Sequence, residues 1–382
     1  MTYFSPEQEA LRESARSFVR KEVVPYLQEW EDAGEVPREL HRAAARLGLL
    51  GLGVPEEKGG SGGTFLDAVA VTEAMAEAGA SSGLLAALFT SGIALPHIVA
   101  AGTDDLVDRF VRPTLAGETI GSLAVTEPGG GSDVSSIRTS AVRDPATGDW
   151  VVNGAKTFIT SGVRADFVTT AVRTGGPGWQ GLSLLVVEKG TPGFEVTRAP
   201  DKMGWHCSDT AELSFTDVRV PAGNLVGEEN GGFALIAEQF VTERLALAVH
   251  GYGVAQRALD LTVEQARRRE TFGKPLVARQ VVQHRLVEMH RKVDVARTYT
   301  REVARRFVAG ENPLVEALQA KAFAVEASGF VVDAAVQIHG GTGYMHGIEV
   351  ERAYRDARIL GIGGGATEVL NDLTARLLGY TA

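Results

Sequence analysis

Apolar residues Leu11, Ala15, Phe18, Val19 and Val23 recur at helical spacing until Pro25 interrupts them. Ahead of them stands Ser5-Pro6-Glu7-Gln8. A capping serine, a proline at the first helical position and a glutamine completing a capping box mark a helix start. A second helix is predicted from Glu39 to about Leu50. The glycine-rich stretch GVPEEKGGSGG (53–63) reads as a loop, and alanine-rich helical segments follow to about Ala101. Beyond Gly117 the pattern changes to short β-branched runs: WVVNG (150–154), TFITSG (157–162), DFVTTAVR (166–173), LSLLVVEK (182–189) and AELSF (211–215). Turn clusters DPATGD, TGGPGWQG and KGTPG separate them, which predicts a small β-barrel or sandwich. After Gly231-Gly232 the helical period returns in three long segments, Phe233 to about Glu270, Val277 to about Val308 and Leu314 to about Ile338. With a terminal helix these make a four-helix bundle. The expected architecture is multi-domain α+β: a helical domain at 1–118, a central β domain at 119–225 and a helical bundle at 226–382.

A chain of 382 residues suits two or three cores of this kind. Its 44% hydrophobic and 23% charged residues are ordinary for a globular protein. No apolar run reaches the roughly 18–20 residues of a membrane span. The first 18 residues are acidic and lack an apolar stretch, which argues against a secretory signal. The single cysteine, Cys207, excludes an internal disulfide and fits a reducing, cytoplasmic setting. No Cys/His cluster has metal-ligand spacing, so no metal is expected. A net charge of −10 argues against nucleic acid as a partner.

Five stretches carry candidate chemistry. In AVTEPGGGSD (124–133), three glycines and Ser132 form either a flexible turn or a wrap of backbone N–H groups around an anion or planar ring. NGAKTFITSG (153–162) lies on a strand and its turn. The cations of RRRETFGKPLVARQ (267–280) suit a solvated helix end or a diphosphate. IHGGTGYMHG (338–347) adds a glycine pair after a long helix. Finally, ARILGIGGGATEVL (357–370) imitates a dinucleotide fingerprint through Gly361, Gly363 and Ala366. Helical residues precede it and no acidic residue follows at the required distance, so the fingerprint reading is poor.

Taken together, and in this order and spacing, these motifs resemble the acyl-CoA dehydrogenase family over essentially the whole chain, and KMGWHCSDTAELSFTDVRVP (202–221) resembles the family's exit from its β domain. The resemblance implies FAD as cofactor, an acyl-CoA substrate, electron-transfer flavoprotein as acceptor, and a homotetramer or dimer. It places Leu123, Val125 and Thr126 against the flavin ring, with Gly131 and Ser132 closing round flavin and substrate. Phe158 and Thr160 match the aromatic and hydroxyl positions beside the isoalloxazine. Arg269, Thr271, Phe272 and Gln280 match residues binding FAD across a subunit boundary, and Gln337, Gly340 and Gly341 match adenosine-side contacts of that shared site.

The implied reaction is α,β-dehydrogenation of the thioester, which requires a base for the α-proton and donors for the carbonyl oxygen. Many members carry the base as a glutamate at the position of Gly364, and glycine cannot accept a proton. Isovaleryl- and long-chain-type members instead place a glutamate before an arginine on the first long C-terminal helix, which Glu243-Arg244 matches. Without that context Glu243 reads as a solvated helix glutamate. With it, Glu243 is expected as base, Arg244 near the thioester or pantetheine, Gly364 N–H as a carbonyl donor, and Ser132 on the CoA arm. Ala366 replaces a common threonine, which loses a hydroxyl contact or shifts it to Thr367, with Glu368 retained. Competing readings are a flavin oxidase or monooxygenase and a non-catalytic acyl-CoA-binding protein.

Overall fold

The computed structural model describes residues 3–380. The N-terminal helices are α1 (Pro6–Phe18), α2 (Leu27–Ala33), α3 (Arg38–Arg46), α4 (Phe65–Glu77), α5 (Ser82–Leu88), α6 (Ser91–Ala94), α7 (Pro96–Ala101), α8 (Asp104–Leu106) and α9 (Arg112–Leu115). Ser5 caps α1 as its sequence predicts: Ser5 Oγ accepts from Gln8 N–H and Gln8 Oε1 from Ser5 N–H, both at 3.2 Å. The second predicted helix ends earlier than expected, at Arg46, because Gly48 (φ 73) turns the chain into a short 3₁₀ segment at 49–51.

One buried ionic cluster ties this layer to the C-terminal helices. Glu73, 1 % exposed on α4, accepts from Arg12 at 2.8 Å, from Tyr252 Oη at 3.1 Å and from Arg301 Nε at 3.0 Å. Burial alone would raise the Glu73 pKa, but Arg301 and Arg12 outweigh it and hold the carboxyl below its usual range. Removing one partner of such a cluster leaves an unpaired buried charge, which costs about 3–5 kcal/mol.

The central strands are β1 (Gly121–Ala124), β2 (Ser140–Arg143), β3 (Trp150–Thr160), β4 (Phe167–Arg173), β5 (Leu182–Glu188), β6 (Phe194–Arg198), β7 (Thr210–Val220) and β8 (Leu225–Val226). They form one mixed sheet in the order β6-β7-β3-β2-β4-β5-β8, with β1 parallel to β4. The barrel alternative is corrected here: the sheet does not close. Its two wings meet at a single residue pair, Ser140 with Arg173, and their apolar faces share one core that includes Val152, Leu213 and Phe215 with Val168, Leu185 and Val187. That is a sandwich-like arrangement. WVVNG and the first four residues of TFITSG fall on the one strand β3, which carries bulges between Val152 and Gly154 and between Lys156 and Ile159.

The C-terminal part holds α10 (Gly232–Glu238), α11 (Phe240–Arg268), α12 (Gln280–Val308), α13 (Leu314–His339), α14 (Glu349–Ala357) and α15 (Thr367–Leu377), with a hairpin of β9 (Glu270–Thr271) and β10 (Lys274–Pro275) after α11. The predicted single helix from Phe233 is broken at Gln239. Two different supports explain the break. Gly232 lies so close to the Ser183 backbone that a Cβ there would stand 2.6 Å from its carbonyl carbon, which seats α10 on β5. By contrast, α11 follows α13 and α4: a Cβ at Gly251 would meet Ala324 O at 3.2 Å, and one at Gly253 would meet Ala76 Cβ at 2.9 Å. Small residues at these crossings let the helix axes approach closely.

Candidate active site

Glu243 projects from the first turn of α11, with its side chain 32% exposed. Its carboxylate lies over the glycine run: a Cβ placed at Gly364 would stand 3.1 Å from Glu243 Oε1 and would clash with Leu247 Cδ1. The two positions singled out in the sequence, Glu243 and Gly364, therefore lie side by side in space. Gly364 has φ 60 and Gly365 φ 92, backbone that residues with a Cβ rarely adopt.

Arg244 is 7 % exposed and braces this arrangement. Its guanidinium stacks 3.9 Å over the Phe240 ring, and Nη1 donates to Phe240 O and to Glu243 Oε2, each at 3.3 Å. Its Nη2 lies 3.6 Å from where a Gly365 Cβ would be. Burial lowers its pKa and Glu243 opposes the shift. An arginine remains charged regardless. Beneath the run stands Lys321 of α13, donating to the carbonyls of Gly363, Gly364 and Gly365 at 2.6, 3.2 and 2.6 Å. Sequence reasoning missed it, because a lysine among alanines (QAKAFA) reads as a solvated position. Thr367 begins α15, its hydroxyl 3.8 Å from a Cβ built at Gly361, and Glu368 is exposed in the same first turn.

A second group gathers the β-domain residues. Leu123, Val125 and Thr126 are half-buried at the end of β1 and just beyond it, and Thr157 N–H donates to Thr126 O at 2.9 Å. Ser122 Oγ donates to Thr160 O at 2.6 Å. The second β3 bulge directs Lys156 and Thr157 inward and Phe158 outward. Phe158 is 68% exposed with φ 58, a strained conformation for an aromatic residue. Lys156 donates to Val125 O and to Glu127 Oε1, both at 3.0 Å, and Glu127 accepts the N–H groups of Arg138 and Thr139 at 2.8 Å. Burial pushes the Lys156 pKa down to about 8 against the pull of Glu127. This buried pair, also missed from sequence, fixes the TEPGGGSD loop on which Gly131 and the exposed Ser132 lie. A Cβ at Gly131 would stand 3.1 Å from Thr126 Cγ2.

The third group is distant. Arg269 Nη1 donates to His339 O at 3.0 Å and lies 3.0 Å from where a Gly340 Cβ would be, so RRRETFGKP and QIHGGTGY meet. The Gly340 N–H donates to Gln337 O at the end of α13, and Gly341 is exposed. Thr271 and Phe272 form the hairpin, with Arg279 Nη2 donating to Thr271 O at 2.6 Å and Phe272 98% exposed at its tip. Gln280 opens α12 and is exposed. Arg269 follows the last residue of α11 and Glu243 lies in its first turn, so about 39 Å of helix separates them at ~1.5 Å per residue.

These groups fit a flavin nucleotide. Phe158 and the residues around Thr126 and Thr160 offer an apolar and hydroxyl-bearing surface to a ring, while Arg269 beside Gly340 offers a cation and close backbone approach to phosphates. Among the described residues no group of three or more His, Cys, Asp or Glu is arranged to hold a metal ion, and no single helix is long and apolar enough to cross a membrane.

A helical layer, a β domain and a helical bundle carry these groups, and each of the three layers matches a known domain. Family models of the acyl-CoA dehydrogenase N-terminal, middle and C-terminal domains match residues 5–118, 122–218 and 230–379. The long-chain specific acyl-CoA dehydrogenase of Rattus norvegicus mitochondria is 38% identical over 98% of this chain and 86% of its own length. A solved chain from Mycobacterium smegmatis assigned as an acyl-CoA dehydrogenase is 60% identical, covers 100% of both chains and superposes with TM-score 0.98. A chain from the Acidaminococcus fermentans electron transferring flavoprotein study is 32% identical over 99% of both, with TM-score 0.93. The chain belongs to the acyl-CoA dehydrogenase family. It is an oxidoreductase acting on CH–CH bonds, its cofactor is FAD, and its reaction is the dehydrogenation of an acyl-CoA thioester.

Proposed function

We propose that Glu243 is the base that removes the α-proton. The observation that carries this reading is the placement of its Oε1 over Gly364, where a side chain at 364 would begin. FAD, when bound, would supply the acceptor for the β-hydrogen, which leaves as hydride. Glu243 lies beside Phe240 and Leu247 and is held by Arg244, so its carboxylate keeps one orientation. Gly364 N–H serves as a donor to the thioester oxygen. Leu123, Val125, Thr126, Phe158 and Thr160 hold the flavin ring, Gly131 and Ser132 close over it, and Ser132 also meets the CoA arm. Arg244 orients the base and the thioester end of the substrate.

The separation of Arg269 from Glu243 supports a cofactor site shared between subunits. Arg269, Thr271, Phe272, Gln280, Gln337, Gly340 and Gly341 then serve a flavin whose ring is held by another copy, in a homotetramer or dimer. Thr367 and Glu368 complete it beside the glycine run. Electron-transfer flavoprotein is the proposed acceptor, supported by the likeness to the Acidaminococcus chain. Boundaries at 118/119 and 225/226 and a cytoplasmic setting complete the reading, the latter supported by a lone, fully buried Cys207.

Glu243→Gln tests the base. Turnover is expected to fall by about 10²–10⁴-fold, the usual contribution of a positioned base, with FAD content and acyl-CoA binding retained. Near wild-type turnover in stopped-flow flavin reduction would overturn the assignment.

A further inference from the structure

Lys321 takes no part in the steps above, yet it is almost wholly enclosed beside them. It lies on a face of α13 where Ala317, Leu318, Ala320 and Ala324 are buried, and it is itself 1 % exposed. Its three bonds to the carbonyls of Gly363, Gly364 and Gly365 use all three donors of an ammonium. A buried ammonium is costly unless its donors and charge are met. Here three carbonyls meet the donors. The charged side chains acting on it both come from α11, Glu243 favouring its charge and Arg244 opposing it. Burial is the largest influence on its pKa, which is pushed down to about 8.

The geometry of the run follows from peptide planarity. In a trans peptide the N–H points opposite to the carbonyl of the preceding residue. With the carbonyls of Gly363, Gly364 and Gly365 turned toward α13, the N–H groups of Gly364, Gly365 and Ala366 are turned away from it. Among the described residues no backbone carbonyl accepts a hydrogen bond from any of the three. Positive φ at Gly364 and Gly365 makes the alignment possible, and successive N–H groups on one side of a chain form an anion-binding concavity.

We propose that Lys321 is a positioning residue for the dehydrogenation: by gathering three carbonyls it preforms the N–H groups of Gly364, Gly365 and Ala366 as a donor set for the thioester oxygen as negative charge develops there. Lys321 touches no substrate atom and acts only through the run. The inference rests on Glu243 and Gly364 facing the reacting thioester. Donors fixed before charge develops need no reorganisation in the transition state, which is why such sets matter more for kcat than for KM.

The test uses FAD-loaded enzyme and a 3-thiaacyl-CoA, an analogue whose α-proton is acidified by the adjacent sulfur. Its bound enolate is read by long-wavelength charge-transfer absorption with the flavin. The pH midpoint of that band reports how well the site stabilises the enolate oxygen. Lys321→Met is expected to retain FAD, to raise the midpoint by about one to two pH units and to lower kcat about tenfold to a hundredfold, with KM changed far less. Lys321→Arg keeps a cation and should shift both quantities less, which also provides the reading if the methionine variant fails to fold. A wild-type midpoint and kcat in whichever folded variant is measured overturns the inference. Glu243→Gln is run alongside. If it abolishes turnover while the Lys321 variants behave as wild type, the positioning role fails and the base stands; if it turns over normally, the base assignment itself has failed.

Discussion

At Gly364 the chain has no side chain, and the space beside it is taken by Glu243 Oε1 and Leu247 Cδ1 from α11. A glutamate at 364 would have to displace Leu247 and adopt φ 60 as well. A carboxylate at 364 is therefore opposed by packing as well as by backbone conformation. The relocated variant Glu243→Gly/Gly364→Glu should recover less turnover than the triple variant that adds Leu247→Ala, which removes the clashing methyl. Equal recovery in the two, measured as kcat/KM on one acyl-CoA, would refute a packing origin. Glu243 stands out in the sequence as a candidate base only through the missing terminal glutamate and the family resemblance together, since a helix glutamate before an arginine has an ordinary solvated reading. Lys321 was not legible. Its partners are carbonyls 42–44 residues away, and backbone oxygens leave no mark on residue identity.

Helix α14 illustrates what an element contributes beyond its own residues. Asp356 on α14 is 1 % exposed, and its Oδ1 accepts the Trp205 N–H at 2.7 Å, fastening the connection between β6 and β7. Among the described residues its Oδ2 has no hydrogen-bond partner, nor has Glu31 Oε2 of α2. Burial first, and the Glu31 charge second, push the Asp356 pKa from 3.8 up to about 7. The folded chain then holds a proton between about pH 4 and pH 7 that the unfolded chain has released. Unfolding free energy attributable to this group therefore falls as pH rises through that window and is lowest above about 7. Asp356→Asn keeps an acceptor for Trp205 and removes the charge. Its unfolding midpoint should exceed that of the native chain by a few degrees at pH 8 and by much less at pH 4.5; an equal difference at both would exclude the linkage. Element types were readable because periods of 3.6 and 2 follow from which face is buried. The break at Gln239 was not, because it arises where α10 meets β5, a contact between residues about 50 positions apart.

On the scale of the whole chain, apolar side chains remain uncovered around the hairpin that follows α11, at the other end of that helix from Glu243. Phe272 is 98% exposed, Tyr344 79% and Val281 76%, with Met345 at 53% and Val287 at 62%. They surround the cation-bearing hairpin and the start of α12, where Arg269 is fixed to His339 O. Exposed apolar surface of this kind marks a contact with another molecule. Under the shared-site proposal that molecule is a second copy, and the same contact would bring Arg269 to the phosphates of a flavin whose ring its neighbour holds. The two roles separate by substitution. Phe272→Asp places a charge in the contact and should lower both the assembly mass in analytical ultracentrifugation and the FAD retained per chain. Arg269→Ala removes the phosphate counter-charge but no apolar surface, so FAD retention should drop while the assembly mass stays at the native value. An unchanged mass in Phe272→Asp would place the partner surface elsewhere. Full FAD content in Arg269→Ala would remove the hairpin from the cofactor site.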